Sequence, residues 1–96
     1  MESRIYLTSL YDIYGTLLTD KQRKYFENYY FDNLSLSEIS ENEEISRNGV
    51  HKHINEAKEK LEYYEQELKI YERNKRIIEF SKKLDKDLQE ELEELI

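Results

Sequence analysis

The sequence predicts an all-α fold, and three observations carry that prediction. The 96 residues contain no proline and only two glycines, so the turn chemistry that punctuates a sheet is missing. Apolar residues recur at three- and four-residue spacing along most of the chain. Charged side chains make up 39% against 38% hydrophobic, the balance of long helices that bury one face and solvate the other. This length allows one core, since a second would need roughly another 50 residues.

In chain order, a first helix is expected over about residues 5–14, where Leu7, Leu10, Tyr11 and Tyr14 share a face and Gly15 marks the end. Thr19 opens the second helix. Its hydroxyl can accept from the Gln22 amide while the Gln22 side chain reaches back, the reciprocal pattern of a capping box. This helix runs to about Phe31, with Leu18, Gln22, Tyr25, Phe26, Tyr29 and Tyr30 inward. Helical spacing makes the aromatic run from Tyr25 to Phe31 core rather than a base-stacking platform.

The stretch DNLS reads as a loop, Ser37 as the N-cap of a short third helix ending near Glu41 or Asn42, and Ser46 as the cap of a fourth. From Val50 the apolar or small residues fall at 50, 54, 57, 61, 64, 68 and 71, a heptad seam. Such a seam predicts a long helix packed as a coiled coil, either against another subunit or against helices folded back from the same chain. It falters over residues 72–76 and resumes with Ile77, Phe80, Leu84, Leu88, Leu92 and Leu95, one or two further helices. Thin helices bury little surface alone, so a homodimer through the C-terminal helices is expected. The chain then divides into a domain over residues 1–68, ending in the long helix, and a helical extension over residues 69–96, acidic at its end.

Residues 34–61, LSLSEISENEEISRNGVHKHINEAKEKL, have the rhythm of a helix-turn-helix. Such a motif needs a small residue where its helices cross and an apolar anchor after the turn, and it leaves the N-terminal face of the second helix free to enter a major groove. Ser40 takes the small position and Ile45 the anchor; Val50, Ile54 and Ala57 face inward. Ser46, Arg47, Asn48, His51, Lys52 and Asn55 then face outward as candidate nucleic-acid contacts. Ser46 and the free amides near it suit a phosphate, Arg47 and Lys52 a phosphate or guanine, and Asn48 or Asn55 an adenine. An ordinary solvated helix face would carry similar residues, so the pattern alone leaves both readings open.

Charge bears on the choice. The net charge is −7 and the pI near 4.9, far from the basic footprint of a typical DNA-binding domain. The acidity is concentrated in residues 85–96, with six acids against one lysine, whereas residues 46–60 hold four basic against two acidic residues and both histidines. Lys21, Arg23 and Lys24 are further cations that could join that surface. This supports at most a modest and strongly salt-sensitive affinity.

Other classes find less support. No cysteine, no glycine-rich phosphate loop and no histidine beside a plausible nucleophile is present, so an enzyme is not expected. Glu59, Glu62, Glu65 and Glu67, interleaved with lysines, read as solvating decoration. His51 and His53 point about 200° apart on a helix and cannot chelate one ion, so neither metal nor cofactor is expected. The N-terminal stretch has no apolar run suited to a signal peptide or membrane span, and the lack of cysteine suits a reducing cytoplasm, where the protein is expected.

Residues 10–68 resemble the YlxM family of small bacterial proteins, whose pattern is a leading LYD-x-Y, LLT-x-KQR, a Tyr-Tyr pair, LSL-x-EIA, and VSR followed by a helix. Here these read LYDIY, LLTDKQR, Tyr29-Tyr30, LSLSEIS and ISR. The family is similar to region 4 of bacterial sigma factors, a promoter-reading helix-turn-helix, and is usually encoded beside the signal recognition particle GTPase Ffh or its receptor. The resemblance implies an accessory or regulatory role in that targeting pathway, through DNA or the particle's RNA; the rival reading is an adaptor that keeps the helix-turn-helix as scaffold and binds Ffh or polymerase through its long helices. Three positions depart from the pattern: Ser40 replaces alanine, Glu43 an apolar residue, and Glu44 the frequent turn Gly or Asn. A non-glycine residue held at positive φ costs about 1 kcal/mol or more, so the turn is expected to be looser or differently shaped.

Overall fold

The computed structural model describes residues 3–96. Its elements are α1 (Arg4–Tyr14), a single 3₁₀ turn (Gly15–Leu17), α2 (Asp20–Tyr30), α3 (Leu36–Glu43), α4 (Arg47–Leu68), α5 (Ile70–Ser81) and α6 (Lys86–Glu93), with no strand among the described residues.

Side chains close the helix ends. The capping box at Thr19 forms as expected, with the Gln22 amide on the hydroxyl and the Gln22 side chain on the Thr19 amide. For α3 the cap is Ser35, not Ser37. Glu38 lies three residues after Ser35 and completes a second box, whereas Ser40, three residues after Ser37, is too short to reach back. At the far end of α2, the Arg4 guanidinium donates to the carbonyls of Tyr29 and Tyr30 and to Asn33 Oδ1, satisfying acceptors the helix leaves free. Gly15 does not adopt a left-handed conformation. A Cβ there would lie 2.9 Å from the Tyr11 ring, which stacks on Phe26 at 4.8 Å, so close packing explains the glycine.

Helix α4 is the axis of the fold. Toward its N-terminus Val50 and Ile54 are buried with Tyr25 of α2 and Ile39 of α3. Further along, Ala57 and Leu61 meet Leu7, Leu10 and Tyr14 of α1 together with Leu18 and Phe26. The seam through Leu61 is therefore covered by helices of the same chain, the folded-back alternative. Beyond Leu61 it weakens: Tyr64 is half-buried against the same cluster, 6.0 Å from the Tyr14 ring, the next buried residue is Glu65, and Leu68 is 55% exposed.

The chain breaks at Lys69, ahead of residues 72–76, and it does so without glycine or proline. Lys69 takes the left-handed conformation at φ 53°. Glu65, only 8% exposed, accepts from the Tyr14 hydroxyl at 2.7 Å and from the amides of Tyr71 at 2.9 Å and Glu72 at 3.0 Å. The Tyr14 oxygen in turn accepts from the Ile70 amide at 3.2 Å. Two side chains thus satisfy three of the amides that the first turn of α5 leaves unpaired. Glu65 is not solvating decoration: its carboxylate is an internal cap. Burial, and then the carboxylate beside it, pushes the Tyr14 hydroxyl above its usual pKa.

Ile70 and Tyr71 pack onto the α1 cluster, where Tyr6 meets Tyr71 edge to face at 5.3 Å. Helix α6, capped by Asp85, folds back on α5, so the acidic C-terminal segment is helical. Ser81 is buried between them and donates to the Ile78 carbonyl and the Glu93 carboxylate. The molecule measures 53 × 25 × 24 Å with a radius of gyration of 16.5 Å. A compact chain of this length would have about 12.5 Å.

Candidate nucleic-acid interface

Helices α3 and α4 form the helix-turn-helix, and the departures at the turn have separate structural roles. Glu44 is left-handed at φ 55°, with its amide on the Ser40 carbonyl. The Ile45 amide shares that carbonyl at 3.2 Å, and the Ser40 hydroxyl donates back to the Ile45 carbonyl. The polar group at position 40 therefore ties the turn, a contact alanine could not make. Glu43 pairs with Lys24 of α2 at 2.8 Å, holding the turn to the preceding helix. The carboxylate raises the pKa of Lys24. Glu44 remains exposed and carries the backbone strain, on the order of 1–2 kcal/mol.

Ile45, half-buried, packs on the cluster of Ile39, Val50 and Ile54 and fixes the entry of α4. Ser46 then caps α4, its Oγ accepting from the Gly49 amide at 3.0 Å. A Cβ at residue 49 would lie 3.2 Å from that oxygen, close but not prohibitive, since Gln22 and Glu38 carry side chains at the same position after their caps. The hydroxyl proton of Ser46 stays available for an acceptor outside.

Burial of Val50, Ile54 and Ala57 turns the opposite side of α4 outward. Ser46, Arg47, Asn48, His51 and Lys52 are exposed on its first turns; Asn55 is half-buried, its amide 3.4 Å from the ring nitrogens of His51. Among the described residues no ion pair engages Arg47 or Lys52. A shallow open groove runs beside them, lined by Leu36 with Ser46, Arg47, Asn48 and His51. Leu36 was not among the sequence-derived contacts; as the first residue of α3 it reads as core, and only the crossing of the helices brings it to this edge. His53 turns away, its ring 5.2 Å from Tyr25 and its Nδ1 3.9 Å from Glu56.

The supporting cations do not all join the surface. Lys24 is engaged by Glu43, and Arg23 lies beside the Tyr11 hydroxyl of α1, whose interaction raises its pKa. Lys21 is exposed. Among the described residues no group of three or more His, Asp or Glu side chains could hold a metal ion, and no helix is long and apolar enough to cross a membrane.

A family model described as "Putative helix-turn-helix protein, YlxM / p13 like" matches residues 1–96. Among curated proteins, a UPF0122 protein of Caldanaerobacter subterraneus subsp. tengcongensis is 53% identical over 64 residues, 67% of this chain and 55% of its own length. One from Malacoplasma penetrans is 47% identical over 62 residues, covering 65% and 58%. One from Shouchella clausii is 41% identical over 68 residues, covering 71% and 62%. The matches thus span 55% to 62% of these relatives' lengths.

Proposed function

Given that the chain belongs to the YlxM/p13-like family of helix-turn-helix proteins, we propose that it is a nucleic-acid-binding accessory factor of the signal recognition particle pathway. The observation that supports this reading is the outer face of α4. Arg47, Asn48, His51 and Lys52 stand exposed together, with both cations outside any intramolecular ion pair among the described residues. The start of the helix adds the Ser46 hydroxyl and the positive end of the α4 dipole. Arg47 and Lys52 take phosphate or guanine, Asn48 and Asn55 base edges, and His51 adds ring nitrogens to the same exposed face. The ligand is duplex DNA or the particle's RNA, bound weakly, with strong salt dependence.

A second reading keeps the helix-turn-helix as scaffold and makes the chain an adaptor for the Ffh GTPase or polymerase. The exposed Glu44 next to the recognition helix and the net charge of −7 favour it. Titrations of the protein against duplex DNA, particle RNA and Ffh at low and moderate salt separate the two. Nucleic-acid binding should fall at least about tenfold in Arg47→Ala/Lys52→Ala, and its salt slope by about 2. Binding that the double variant leaves unchanged would defeat the contact assignment, and binding to Ffh alone would establish the adaptor.

A further inference from the structure

The α5–α6 hairpin carries an apolar surface that its own chain leaves open. Phe80 is 58%, Leu88 49% and Leu95 80% exposed, and α6 has no buried residue. These residues line one continuous groove. One end is lined by Lys69, Arg73 and Arg76, with Glu72 the one acid, beside Ile77 and Phe80; the other by Glu91 and Glu94 beside Leu88 and Leu95; Phe80 and Leu92 belong to both ends. Sequence charge follows the same division. Residues 69–83 hold six basic against two acidic residues, and residues 85–96 one against six. Among the described residues no ion pair joins the two helices, so these opposite charges are not matched within the hairpin.

We propose that a second copy of this chain covers the groove, by a twofold antiparallel pairing of hairpins. Phe80 and Leu92 lie near the axis, and the Arg73 and Arg76 end of each protomer meets the partner's Glu91 and Glu94. An interface between identical chains about a twofold axis must present one patch that complements itself when reversed, and a surface basic at one end, acidic at the other and apolar between them does so. A foreign partner would impose no such symmetry. The element is short, with 12 residues in α5 and 8 in α6, or about 18 and 12 Å of helix. Its area belongs with small interfaces, and association in the micromolar range follows.

Sedimentation of the whole chain from about one to about one hundred micromolar tests this, with helix content checked by circular dichroism. Wild type should pass from monomer to dimer and no further, at concentrations that rise with salt. Arg73→Glu/Arg76→Glu and Glu91→Lys/Glu94→Lys should each remain helical yet weaken self-association by about tenfold or more. Their equimolar mixture should recover the dimer, since at positions 73, 76, 91 and 94 one hairpin then carries only acids and the other only cations, and each end again meets its opposite. Phe80→Ser should abolish association with helicity retained. A wild type that stays monomeric, a growing polymer, charge-reversed variants that associate like wild type, or a mixture that fails to recover would each overturn the pairing.

Discussion

The internal cap between α4 and α5 yields a prediction whose size follows from its hydrogen bonds. Tyr14→Phe removes an oxygen that donates to Glu65 at 2.7 Å and accepts from the Ile70 amide at 3.2 Å. One charge-assisted bond is lost and one amide near the core is left unpaired, together about 2–4 kcal/mol. Glu65→Gln keeps the shape but offers one oxygen where two are used, because Oε1 holds Tyr14 and Tyr71 while Oε2 holds Glu72. Either orientation of the amide turns its NH₂ toward another donor, at a cost of about 2–3 kcal/mol. In a domain of this size each variant should melt roughly 10–20 °C below wild type. Because both act on one network, the double variant should lose less than the sum, with a coupling of about 1–2 kcal/mol. Urea titrations supply the energies, and amide exchange at Ile70, Tyr71 and Glu72 should accelerate more than exchange at the α3–α4 crossing. Single losses under about 0.5 kcal/mol, or strict additivity, would refute the cap as the device that turns the chain at Lys69.

Glu44→Gly should stabilise the protein by about 1 kcal/mol, raising its melting temperature by roughly 4–8 °C, because glycine occupies the left-handed conformation without a Cβ penalty. The same change removes an exposed carboxylate beside the recognition helix and should tighten nucleic-acid binding a few fold at low salt; thermal melts and binding titrations check the two effects separately. Alkaline pH should weaken the fold. The hydroxyls of Tyr11 and Tyr14 both have their pKa raised above the ordinary tyrosine value, first by burial and then by the carboxylates of Glu27 and Glu65. A folded-state pKa above the unfolded one means stability that is complete below the unfolded pKa and is lost as pH rises through the folded one. Urea midpoints should thus hold up to about pH 9 and fall beyond pH 10. Tyr14→Phe, already weakened at neutral pH, should show a shallower alkaline decline.

Much of this architecture is legible in the sequence because the helix-turn-helix rests on local rules. The Thr19 box, the Ser46 cap, the inward set Val50, Ile54 and Ala57, and the exposed face from Arg47 to Lys52 follow from spacing and side-chain chemistry alone. Ser35 was missed where two serines compete, although Glu38 three residues on carried the signal. What periodicity could not give is what a polar residue does when it turns inward. Glu65 lies beside the seam position Tyr64 and looks like a surface glutamate until the fold brings Tyr14, 51 residues earlier, against it. Glu43 likewise reads as an error of the turn until Lys24 reaches it from α2. Both are contacts distant in sequence, and a pattern read along one helix does not contain them. The heptad seam misleads about length for a related reason: its spacing runs through Leu68 to Tyr71 as if along one helix, whereas α4 ends at Leu68, which is exposed, and Tyr71 reaches the core from α5.

These placements also alter the electrostatic objection to a nucleic-acid reader. The turn contributes two acids, but Glu43 is paired with Lys24, so of the two only Glu44, next to the recognition helix, is left without an ion pair among the described residues. The larger block of negative charge lies on α6, which folds on α5 and not on the helix-turn-helix. At physiological ionic strength exposed charges more than about 8 Å apart are largely screened, so the repulsion a phosphate meets at Arg47 or Lys52 is set by the nearest residues and not by the net charge. Pairing of hairpins as proposed would go further, setting the α6 carboxylates against the partner's α5 cations and withdrawing them from the field. The two surfaces then answer salt alike, since added electrolyte weakens both phosphate contacts and hairpin pairing. A salt slope steeper for wild-type protein near its dimerisation midpoint than for Phe80→Ser would reveal that coupling, and equal slopes would show that the acidic hairpin and the basic face act independently.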